Sequence, residues 1–182
     1  METGKVNLKG FSLIELLVVI VIVLILSALS FPVFQKWKVK EDIKNLVYKL
    51  SIDIGYGRDY ARKNGVRVIL AITASTPQYW TGIDKVDPVI YFLFADKNRN
   101  GQYDNDDEIL SYGKGRGIVV VRNQISKKCF NETGRCITFY PVGPPSIGAV
   151  PKKIEFQSTA FSDIAYGVEI RSILGIAEVY RK

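Results

Sequence analysis

Lys9-Gly10-Phe11-Ser12-Leu13-Ile14-Glu15-Leu16-Leu17 is the stretch on which the reading of this chain turns. It joins a short polar start, with Lys5 and Lys9, to an apolar run. Residues 16–26 are all aliphatic, and residues 27–31 stay mostly apolar up to Pro32. Three origins fit such a pattern. A secretory signal has a basic start, an apolar stretch and small residues before the cut, here Ala28 and Ser30. A plain membrane anchor needs about 20 apolar residues, which residues 11–31 supply. A third kind of signal is cut ahead of the apolar run, between Gly10 and Phe11.

Glu15 separates the three. A carboxylate within the membrane costs roughly 2.5–3.5 kcal/mol on insertion scales. A discarded signal or a passive anchor has no use for that cost. Cutting after Gly10 gives Phe11 a free amine, one helical turn from Glu15 on its own chain or a neighbour's. Pairing the two charges offsets desolvation and sets the register between subunits.

The stretch resembles the class III signal of type IV pilins and pseudopilins: a basic residue, Gly, an aromatic, and Glu at the fifth position of the mature chain. Pro32 in the middle of the first helix is similar too. The resemblance implies a structural subunit and not an enzyme. It implies a leader over residues 1–10, removed by a prepilin peptidase, and methylation of the Phe11 amine. Residues 11–34 would be the transmembrane and filament-core helix. Residues 35–182 would be a periplasmic domain, with a helix over 35–64 and a β domain over 65–182. The expected location is the bacterial inner membrane. The expected partners are other pilins or pseudopilins and an inner-membrane assembly platform.

Beyond Pro32 the helical pattern continues. Val39, Ile43, Leu46, Leu50 and Ile54 recur every three or four residues, an apolar stripe on an amphipathic helix. The lysines at 36, 38, 40, 44 and 49 lie mostly on other faces. Asn64-Gly65 is a plausible end, because Gly tolerates the left-handed position there. Gly55 and Gly57 read as weak spots in the helix. After Gly65 the period shortens. Residues 66–72, 89–95, 118–121, 136–140, 154–157, 166–170 and 176–180 read as strands. The turn signals between them include Thr76-Pro77, Asp87-Pro88 and Gly143-Pro144-Pro145. The expected fold is α+β: a long helix, its second half packed on one antiparallel β domain. Leu46-Val47-Tyr48-Lys49-Leu50, residues 57–66 and residues 137–143 narrow the resemblance to the GspH/FimT branch, whose helix end runs directly into a strand.

The whole chain has 182 residues and a formal net charge of +7. Its lysines and arginines are scattered, as on a solvated surface. There is no histidine, which removes Ser-His and Cys-His nucleophiles and the usual histidine metal sites. The two cysteines, Cys129 and Cys136, are too few for structural zinc. They suit a stapled turn in an oxidising compartment, or two buried thiols. Residues 113–117 are Gly-rich and basic but lack phosphate-loop spacing, and read as a flexible turn.

Residues 96–108 are the densest polar segment. Asp96, Asn98 and Asn100 alternate, and Gly101 follows, as at the opening of an EF-hand-like calcium loop. Gln102 would offer its carbonyl, Asp104 would bind through water, and Asp107 stands where a bidentate Glu is usual. The same residues also make an Asn/Gly-rich hairpin turn. DNA capture, known among FimT-like relatives, is the alternative function. Those relatives resemble one another in a "G-R-x-R" stretch. Here the corresponding stretch is Gly175-Ile176-Ala177-Glu178, without arginine. Arg171, Arg181, Lys182, Lys152 and Lys153 remain as a diffuse basic patch.

Overall fold

The structure, a computed structural model, describes residues 11–73, 89–115, 117–129, 134–172 and 176–182. Its architecture is α+β. Helix α1 (Leu13–Asn64) is followed by strands β1 (Arg67–Thr73), β2 (Val89–Asp96), β3 (Glu108–Lys114), β4 (Ile118–Asn123), β5 (Lys128–Cys129), β6 (Gly134–Phe139), β7 (Lys152–Ser158), β8 (Ala165–Ile170) and β9 (Ala177–Arg181). The chain divides into two compact units, residues 1–38 and 39–182, and α1 contributes to both.

In the first unit the described residues are helical from Leu13, with Pro32 inside the helix. Their described side chains are all exposed. The helix is long and apolar enough to cross a membrane. Ser27 and Ser30 hide their hydroxyls by donating to carbonyls one turn back, Ser27 to Val23 at 2.7 Å and Ser30 to Leu26 at 2.9 Å. That arrangement suits apolar surroundings, where an unpaired O–H is costly.

In the second unit the stripe expected from periodicity is buried: Ile43, Leu46, Leu50 and Ile54, with Val39 half-buried. Val47 and Ala61 widen it. Gly57 is a point of closest approach and not a weak spot. A Cβ there would stand 2.9 Å from Leu93 Cδ1 and 3.2 Å from Phe139 Cδ2, so only hydrogen fits between helix and sheet. The helix stops at Asn64, and Gly65 takes the left-handed conformation at φ 67°.

The expected antiparallel β domain is built from two sheets. The first runs in the order β3-β2-β1-β6-β5 and the second β4-β7-β8-β9, antiparallel throughout. Alternation divides the side chains of the first sheet. Val68, Leu70, Ile72, Tyr91, Leu93, Ile137 and Phe139 join the helix stripe and the inner face of the second sheet in one core. Ile69, Ala71, Val89, Phe92, Phe94 and Cys136 form a separate cluster on the opposite face. The ends of the observed strands lie within two residues of those expected, and β3 and β5 are additional. The Gly113-Lys114 end of β3 replaces part of the expected flexible turn. Gly113 is buried, and a Cβ there would meet the Tyr91 ring and Leu46.

A polar node crosses the helix–sheet contact. Asp53, on the buried side of α1, accepts hydrogen bonds at Oδ2 from Tyr91 Oη at 2.8 Å, Ser111 Oγ at 2.8 Å and Lys49 Nζ at 3.0 Å. Lys49 Nζ also donates to the Tyr112 carbonyl at 2.8 Å. Burial first, then the Asp53 charge, raises the Tyr91 phenol above its ordinary range.

Candidate functional site

Of the processing residues, Phe11 is described and exposed, while Gly10 lies outside the described residues. Glu15 sits in the first turn of α1. Its Oε2 accepts the Ser12 backbone N–H at 2.9 Å. Ser12-x-x-Glu15 is thus half of a capping box, a signature the reading of this stretch passed over. The carboxylate closes the helix start and is also the acid of the first turn after Phe11, so the two roles need separate tests.

The acidic segment is the loop between β2 and β3, so a strand precedes it and the hairpin arrangement is present. Asp96 ends β2 with no exposed surface. Its Oδ2 accepts from Arg67 Nε at 2.7 Å and from the Gly101 N–H at 3.0 Å. Asn98 Oδ1 takes the Asn100 N–H at 3.0 Å, and Asn100 Oδ1 takes the Gln102 N–H at 2.7 Å. Both amides donate to Asp104 Oδ2, Asn98 at 2.6 Å and Asn100 at 2.8 Å. Asn98, Asn100 and Asp104 therefore meet at one point. The Asn98 hydrogen bond leads in holding Asp104 below the usual carboxylate range. Asp107 is occupied elsewhere, accepting the Lys97 N–H at 3.0 Å and the Asp104 N–H at 3.1 Å. Burial pushes its carboxyl up. The chain reverses through Arg99 at φ 61° and Gly101 at φ 79°. Among the described residues no three acidic, histidine or cysteine side chains gather as a metal group; amides complete this cluster.

The basic residues considered for DNA lie around the second sheet, and most are committed. Arg171 pairs with Glu169 and Glu178, each at 2.8 Å. Lys153 reaches Glu169 at 3.5 Å and stands over the Tyr180 ring. Lys182 reaches Glu155 at 3.1 Å, with Tyr180 Oη at 2.9 Å and Arg122 at 3.2 Å on the same carboxylate. Burial alone would raise Glu155. The Lys182 and Tyr180 hydrogen bonds and the Arg122 charge outweigh it and hold the carboxyl below its ordinary range. Arg181 and Lys152 have no ion pair among the described residues. Gly175 lies outside them, Ile176 is half-exposed, and Glu178 is the acid facing Arg171.

Cys136 is buried and disulfide-bonded. The Cys129 side chain lies outside the described residues; its backbone in β5 pairs with Gly134 of β6.

Residues 7–31 match the model of the prokaryotic N-terminal methylation motif. No curated protein and no solved structure matches the chain. The match spans Gly10, Phe11, Ser12 and Glu15, the residues from which the sequence was read, and extends into the exposed apolar part of α1.

Proposed function

We propose that this chain is a structural subunit of a type IV pilus or a type II secretion pseudopilus. A prepilin peptidase cuts between Gly10 and Phe11, and the new amine is methylated. Residues 11–34 hold the subunit in the inner membrane, with residues 35–182 in the periplasm. An inner-membrane platform then moves it into a filament of like helices. The observation that carries this reading is the methylation motif over residues 7–31, on a helix whose described apolar side chains up to Trp37 are exposed. Sequence likeness at residues 57–66 and 137–143 supports a place nearest the GspH/FimT branch. Oxidised Cys136 supports a Cys129–Cys136 staple and an oxidising compartment.

Intact-mass analysis of the membrane-extracted protein tests the processing step. The expected mass is that of residues 11–182 plus one methyl group. A chain beginning at Met1 or at Phe31 would refute it.

DNA capture is the weaker reading, because ion pairs on the second sheet neutralise Arg171, Lys153 and Lys182. Steep salt dependence needs several cations free to meet phosphates together. The full chain in detergent is therefore expected to show no submicromolar DNA affinity near physiological salt. Replacing Ile176 and Glu178 with arginine should raise affinity, since it adds two cations and removes one of the two acids that hold Arg171. Submicromolar binding by the unmodified protein, lost on mutating Arg171 or Arg181, would make DNA uptake the leading function.

A further inference from the structure

The charges flanking the apolar run are distributed against the usual rule. Cytoplasmic flanks of membrane spans normally hold the excess of lysine and arginine. Here Lys5 and Lys9 precede the run, while Lys36, Lys38, Lys40 and Lys44 follow it. In the proposed mature chain the first two are gone with the leader, and the lysines next to the span all stand on its periplasmic side. Ammonium groups are costly to carry across a membrane, so their presence there calls for a partner.

For the lysines of the first unit the protein supplies little of that partner. Lys36 and Lys38 are exposed, and Lys38 has no ion pair among the described residues. Lys44, in the second unit, is answered by Glu41 at 3.3 Å. Phe31, Phe34 and Trp37 are exposed on the same two turns as Lys36 and Lys38, and the Phe34 and Trp37 rings lie 6.0 Å apart. Residues 13–33 cover about 30 Å of helix, the thickness of the hydrocarbon core. A span that starts at Leu13 therefore brings Phe34 and Trp37 to the far headgroup level, where tryptophan settles. At about 100° per residue, Lys36 and Lys38 stand on nearly opposite sides of the helix, so cations meet headgroups all round.

We infer that residues 31–38 form a collar for anionic phospholipid in the periplasmic leaflet, with Phe34 and Trp37 seated among the headgroups and Lys36 and Lys38 on the phosphates. The inference rests on the inner-membrane part of the proposed function. A zwitterionic headgroup answers its own phosphate with its own ammonium. Phosphatidylglycerol leaves that charge to the protein, and the attraction is screened by salt. The collar sets the depth of the helix before assembly and must be given up when the subunit leaves the bilayer. Anionic lipid thereby acts as a brake on extraction.

The test is quenching of Trp37 by brominated lipid, with the full chain reconstituted in phosphatidylcholine vesicles. A minor fraction of the lipid carries the bromine, as phosphatidylcholine in one sample and phosphatidylglycerol in the other. The Trp37 signal is the difference between the unsubstituted chain and Trp37→Phe. Brominated phosphatidylglycerol is expected to quench it roughly twofold more strongly at low salt, and the excess should fade at high salt. Lys36→Gln with Lys38→Gln should lose the excess. Arg62→Gln with Lys63→Gln, the same charge change in the last turn of α1, should keep it. Equal quenching by two lipids that both reach Trp37 overturns the inference and leaves the membrane anchor standing. An excess that survives the Lys36/Lys38 variant, or that the Arg62/Lys63 variant abolishes as well, also overturns it. A Trp37 that neither lipid quenches overturns the inference together with the anchor.

Discussion

Glu15→Gln is expected to leave membrane insertion unchanged or slightly improved, and to cut incorporation into sheared filaments by roughly tenfold or more. Its carboxylate is unfavourable in lipid and useful only when a cation meets it. In the proposed filament that cation is the Phe11 amine. Removing one partner of a desolvated pair costs about 3–5 kcal/mol, ample for a tenfold loss. Glutamine is the informative replacement, because its side-chain oxygen can still accept the Ser12 N–H that Glu15 holds at 2.9 Å. Glu15→Ala removes cap and charge together. Equal losses in both variants assign the effect to charge. A normal Glu15→Gln beside a defective Glu15→Ala would assign it to the cap, which alone is worth about 1 kcal/mol.

Asp53→Ala is expected to destabilise the β domain by about 3 kcal/mol or more. The carboxylate is 6% exposed and takes three donors at one oxygen. Its loss leaves the buried Tyr91 hydroxyl unpaired and Ser111 without its acceptor, and opens a gap between α1 and the first sheet. Domains are stable by only about 5–15 kcal/mol, so the variant should unfold at visibly lower urea. Asp59→Ala, six residues on and 66% exposed in its side chain, should change stability by no more than about 0.5 kcal/mol. Urea titration of both variants in detergent, followed by circular dichroism, compares them. Similar midpoints for the two would show that the node adds nothing to folding.

Much of the fold was legible because its signals are local. The apolar run, the stripe from Ile43 to Ile54 and the Asn64-Gly65 stop each follow from helical period and backbone conformation. Most strands showed as short β-rich runs. β3 did not, because Glu108, Ser111, Gly113 and Lys114 break its apolar alternation. Its partner β2 supplies the pairing that its own residues do not advertise. The division into two sheets was equally hidden, since alternation tells which face a residue takes and not which strand lies beside it. Asp53 escaped for a related reason. Its partners Tyr91 and Ser111 lie 38 and 58 residues away, and the local clue was only an acid on the apolar side of the stripe with Lys49 one turn before it. At the acidic loop the residue types were legible. The division of labour between Asp104 and Asp107 was not, because it depends on which backbone N–H groups the hairpin leaves unpaired.

One detail of the polar node bears on crowding. Among the described residues the two sheets are open, ending at β3 and β5 and at β4 and β9. A free strand edge is an invitation to a stranger's backbone, and proteins commonly post a charge there as a sentry. At β3 the sentry comes from the helix: Lys49 spans from Asp53 to the Tyr112 carbonyl, with its side chain half in water. The residue that locks helix to sheet thereby also sets an ammonium group on an edge strand. Molecules held shoulder to shoulder at high density can then touch without their sheets merging, and keep the freedom to separate again.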